Sequence, residues 1–100
     1  MRGLSNSHGM QLTLAFTDVS VPSSAWQEDE TYGDYPFRAA VNLEGVTEDF
    51  APSVVFSPAD AMSGSFAPVA ESYAGGVYIY ANESPAETVT IPSIVCIPVG

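Results

Sequence analysis

The stretch that most constrains this 100-residue chain runs from Tyr73 to Val99. After the glycine pair Gly75-Gly76, Val77, Ile79 and Ala81 fall on one side of an extended chain and Tyr78 and Tyr80 on the other. A two-residue period rich in β-branched and aromatic side chains predicts a half-buried strand. Asn82-Glu83-Ser84-Pro85 supplies turn chemistry, and Val89 and Ile91 then alternate with Thr88 and Thr90 in a second strand. Beyond Pro92, Ile94, Val95, Cys96 and Ile97 are apolar without a break. A strand wetted on one side alternates to its end, so this half is expected to be covered on both faces. One cover would be the domain's own core, the other a neighbouring subunit. Tyr78, Tyr80, Ile94, Val95, Cys96 and Ile97 are the candidate oligomer interface.

Shorter runs upstream repeat the pattern. Leu12, Leu14 and Phe16 alternate with Thr13 and Ala15, and Val19 and Val21 repeat the alternation up to Pro22. This reads as one strand kinked near Asp18, or as two short strands. Phe37, Ala39, Val41 and Leu43 oppose Arg38, Ala40, Asn42 and Glu44, the cleanest amphipathic strand in the chain. Ala51 to Phe56 forms another, with Val54 and Phe56 inward, and Phe66 to Tyr73 leads extended into the glycine turn. Ser57-Pro58 places an N-capping hydroxyl before a proline at the first helical position, which predicts one helical turn and no more. Trp26 is expected to plug one end of the core. These elements predict an all-β fold, a jelly-roll-like antiparallel β-sandwich of about seven or eight short strands. Residues 11–100 form its single domain. Met1–Met10, which holds the only histidine, His8, reads as a leader or the end of a linker.

Composition excludes several classes of function. Apolar residues make up 46% and charged residues 14%, which marks a globular chain. No apolar run approaches the roughly 18 residues of a membrane span, so no membrane insertion is expected. Twelve acids stand against Arg2 and Arg38, a net charge of −10. Such a surface repels phosphate backbones, so nucleic acid is not an expected partner; it also favours solubility. Cys96 has no second cysteine to pair with and no cationic neighbour to make it a thiolate, so it reads as a small buried hydrophobe. Met1 to Gln11 lacks the apolar segment of a signal peptide.

The chemistry-bearing residues point away from catalysis. A Ser-His-Asp arrangement would have to draw on His8, outside the patterned core, and one Cys with one His makes no structural zinc site. Twelve acids guarantee some pair at a glycosidase spacing, so that pairing carries no information. Gly75-Gly76 is too short for a phosphate loop and precedes a strand. Asn82-Glu83-Ser84 matches a glycosylation sequon but, followed by Pro85, reads as a turn. Glu28, Asp29, Glu30 and Asp34 lie in an acidic loop over Gln27 to Pro36 whose spacing does not match a calcium loop. No metal or cofactor is expected. Arg38 is expected to pair with a carboxylate on an adjacent strand. The remaining candidate is a saccharide site at Trp26, Tyr32 and Tyr35, since aromatic faces stack on sugar rings while amides and carboxylates bond the hydroxyls.

The C-terminal string FAPVAESYAGGVYIYANESPAETVTIPSIVCI resembles a segment at the ends of small tailed-phage and prophage structural proteins of Gram-positive gut bacteria. The earlier order, a strand, VPSSAW, a polar loop with tyrosines, FRAAVNLEGVT and SVVFSP, is similar to the same family's layout. The resemblance runs from about Leu12 to Ile97 and consists of strand and turn patterns, not of a catalytic signature. It implies a tail-fibre, baseplate or head-fibre β domain that is not an enzyme. Such a domain self-assembles as a homotrimer, sits on the virion after assembly in the bacterial host cytoplasm, and contacts other virion proteins and a host cell-surface glycan. A carbohydrate-binding module and a capsid decoration protein are the alternatives. The chain departs from the family in having no fibrous shaft. A trimer would cover the second apolar face of Ile94 to Ile97, and obligate interfaces bury on the order of 2,000 Å² or more.

Overall fold

The computed structural model describes residues 12–99; the expected leader, with His8, lies outside them. Seven strands stack as two antiparallel sheets, the sandwich that the alternation predicts. In chain order they are β1 (Leu14–Val21), β2 (Trp26–Glu28), β3 (Phe37–Asn42), β4 (Phe50–Val55), β5 (Phe66–Tyr73), β6 (Gly76–Ala81) and β7 (Val89–Pro98). One sheet has the order β1-β7-β4 and the other β2-β3-β6-β5. The first strand pairs with the last, and β3 with β6. Three strands thus face four, with β2–β3 and β5–β6 paired as consecutive strands inside the larger sheet.

Alternation explains which side of each strand is buried. Ala39 and Val41 of β3, Val77, Ile79 and Ala81 of β6, and Ile91, Ile94 and Cys96 of β7 meet between the sheets. Val21, Leu43, Val46 and Phe50 complete the centre. Each such fully buried aliphatic side chain contributes about 1.5–3 kcal/mol relative to exposure, so this layer supplies most of the favourable term. Trp26 sits in the same layer, its ring 6.0 Å from that of Phe66. The strand it opens is only three residues long and is hidden in the sequence, because Gln27 and Glu28 are both exposed.

The kink expected near Asp18 is real and changes which side chains face inward. Asp18 adopts a left-handed backbone, φ 51°, a region that Asp tolerates better than most residues. The pairing of Thr17 with Ser93 and of Val19 with Ile91 sets Asp18 opposite Pro92. On one side of this rung Val19, Val21, Val89 and Ile91 point inward; on the other Leu14, Phe16, Ile94 and Cys96 do. Both strands reverse facing together, so the register survives. Pro92 has no N–H to offer a ladder, which suits it to the broken rung.

Turn chemistry closes the remaining connections. The expected helical turn is α1 (Pro58–Ser63), where the Ser57 hydroxyl accepts from the Asp60 N–H at 3.2 Å and Gly64 ends it in a left-handed conformation. At the β5–β6 turn Gly75 has φ 124°, which only glycine adopts readily. The Leu43 N–H donates to the Gly75 carbonyl at 2.8 Å, and the Gly75 N–H to the Val46 carbonyl at 2.9 Å. The chain between β3 and β4 is thereby fastened to this turn.

Candidate interaction surfaces

The two sheets turn very different outer faces to their surroundings. On the four-stranded sheet the outward side chains of β3, β5 and β6 are polar and aromatic, and they engage one another. Tyr80 is 1% exposed because Tyr32, from the loop after β2, lies edge-on over it with centroids 4.8 Å apart. Both phenols donate to one carboxylate: Tyr32 to Glu71 Oε2 at 2.5 Å and Tyr80 to Glu71 Oε1 at 2.9 Å. Burial first, and then the Glu71 hydrogen bond and charge, push the Tyr80 phenol up to about 12. Tyr32 is raised chiefly by its bond to Glu71.

Beside this clasp runs a stack. The Tyr73 and Tyr78 rings lie 4.4 Å apart at 23°, and the Arg38 guanidinium covers Tyr78 at 4.0 Å. Tyr73 donates to Asn42 Oδ1 at 2.8 Å. Burial raises its phenol, and Tyr78 raises it further. Arg38 finds its expected carboxylate in Asp29, Nη1 to Oδ1 at 3.3 Å, in the acidic loop rather than on a neighbouring strand. Asp29 also accepts from the Thr31 N–H at 3.0 Å. The Thr31 side chain first, then this backbone bond and lastly Arg38 hold its carboxyl below the usual range. Among the described residues no three His, Cys, Asp or Glu side chains converge on a metal position.

Several sequence-level assignments are corrected by this geometry. Trp26 does not stand beside Tyr32 and Tyr35 as a stacking platform: it points into the core at 7% exposure, its indole N–H without a partner among the described residues. Tyr32 is a lid on Tyr80 and not a free ring. Tyr35 is half-buried, its N–H closing a turn onto the Tyr32 carbonyl at 2.9 Å. The expected interface set also divides. Tyr80 is sealed by its own chain, Tyr78 is sandwiched between Tyr73 and Arg38, and Ile94 and Cys96 are core residues with no exposure. Val95 and Ile97 point outward from the opposite sheet, away from these tyrosines.

That second outer face has a different character. Cross-strand register sets Ala51 beside Ile97, Ser53 beside Val95 and Val55 beside Ser93, with Ala15 and Thr17 beside Val95 and Ser93 on the other flank. Val55 is 55% and Ile97 48% exposed. Asp18, at the kink, is the only charged residue in the three strands. A chain of net charge −10 thus presents one sheet of small and β-branched outer side chains whose three strands hold a single carboxylate, Asp18. Sequence reasoning found Val95 and Ile97 but missed Ala15, Ala51, Ser53 and Val55, which become neighbours only through pairing with β7. Glu71, Tyr73 and Asn42 were missed for the same reason.

A groove of about 350 Å³ lies between β4 and β5, lined by Val54, Phe56, Phe66, Val69 and Ile79 with Asp60 at its rim. Compared with known proteins, the chain matches no family model, no curated protein and no solved structure.

Proposed function

We propose that this chain is a non-enzymatic structural module that self-assembles, of the kind found in phage fibres and baseplates. The observation that carries the reading is the outer face of the β1-β7-β4 sheet, where Asp18 is the one charged residue of the three strands. A surface of net charge −10 is soluble through mutual repulsion, and the face poorest in carboxylates is where copies can approach. The resemblance of the strand and turn order to phage structural proteins supplies the virion setting. The four-stranded sheet favours this scaffold over a carbohydrate module, because Tyr73, Tyr78 and Arg38 already cover one another's faces.

Sedimentation of the wild-type chain from micromolar to millimolar concentration tests the reading. Association beyond a monomer is expected, and a monomer at every concentration overturns it. Binding to a cell-surface glycan panel that is lost in Tyr32→Ala would replace it with the carbohydrate-module reading.

A further inference from the structure

We infer that copies of this chain join by laying the outer faces of their β1-β7-β4 sheets together, and not by joining strand edges. The inference rests on the self-assembly reading and names its surface. Antiparallel sheets associate through either edges or faces. Among the described residues every outermost strand carries an interruption. β1 breaks at Asp18 with a left-handed residue and a charge. β4 contains Pro52, which has no N–H. β5 contains Pro68 and loses its pairing with β6 between Phe66 and Ala70. β2 ends after three residues. Kinks, prolines, charges and shortness are the devices that keep sheet edges from pairing with other chains.

The faces are not equivalent either. The outer side of the four-stranded sheet is roofed by its own Tyr32 and carries Arg38 and Glu71 in fixed partnerships. The other sheet is open over Val55, Val95 and Ile97. Charge selects the occupant: a cationic partner would be drawn to the carboxylates elsewhere, whereas an equally acidic copy is repelled least here, where Asp18 is the one carboxylate of the three strands. Size sets the strength. Strand spacing and rise give this face a projected area of roughly 400 Å². Two copies then bury about 800 Å², below the ~1,200 Å² of stable specific complexes. Association through it is therefore concentration-dependent, in contrast to the 2,000 Å² obligate interface expected from the sequence.

Sedimentation equilibrium of wild type, Val95→Asp, Ser53→Glu and Pro52→Val tests the surface, with melting curves to establish that each variant folds. Ser53 is exposed and takes no part in the core, so Ser53→Glu stays informative if Val95→Asp fails to fold. Face stacking predicts that wild type associates, that Val95→Asp and Ser53→Glu weaken association at least tenfold, and that Pro52→Val leaves it unchanged. Association undiminished in both charged variants, or strengthened by restoring the edge N–H in Pro52→Val, overturns face stacking while leaving self-assembly standing. A wild type that never associates overturns both.

Discussion

Gly76 is the position with least freedom in the chain. A Cβ built there would lie 1.9 Å from the Val41 carbonyl oxygen, a backbone atom that cannot turn aside. Gly76→Ala is expected to destabilise by about 3 kcal/mol, the upper end for overpacking, seen as a lower urea midpoint at unchanged slope. Tyr80 makes a second residue-scale statement. Its phenol ionises near 10 when unfolded and about 12 when folded. The folded state therefore disfavours the phenolate, and the associated stability is complete below pH 10 and lost as pH rises toward 12. Its size is on the order of 3 kcal/mol. Glu71→Gln removes the charge and one of two accepting oxygens, so it should bring Tyr80 ionisation back toward 10 in a tyrosinate absorbance titration. It should also lower stability at neutral pH by about 1–3 kcal/mol.

At the scale of elements, the Asp18–Pro92 rung governs how the longest strands are read. A fixed period of two cannot place both Ile91 and Ile94 inside, yet both are. The uninterrupted apolar run after Pro92 therefore looks covered on both sides in sequence, whereas Ile94 and Cys96 face the core and Ile97 faces outward. Where no such rung intervenes, in β3 and β6, alternation assigns every inward residue correctly. The helical turn is equally legible, because Ser57-Pro58 acts locally. Pairing is not: the Tyr32 lid and the Ala51–Ile97 neighbourhood depend on contacts between distant segments that no local pattern records. Two expectations belong here. Asp18→Val should cost about 1–2 kcal/mol for holding a β-branched residue in a left-handed conformation, with Asp18→Gly close to wild type, both read by chemical denaturation. Ser57→Ala should cost roughly 1 kcal/mol through the lost cap.

For the whole molecule, twelve acids against two arginines set the response to solvent. Self-repulsion opposes both folding and association, and salt shortens its reach to about 10 Å at 0.1 M. Raising ionic strength should therefore raise the melting midpoint and strengthen self-association together; calorimetry and sedimentation over a salt series check this. The central strand of the three-stranded sheet also carries the chain's lone thiol, Cys96, with no exposed surface, and burial pushes its ionisation upward. A water-borne thiol reagent can reach that sulfur only when β7 peels away from β1 and β4. The molecule thus contains its own stopwatch: the pace at which Cys96 is modified counts how often the sandwich comes apart.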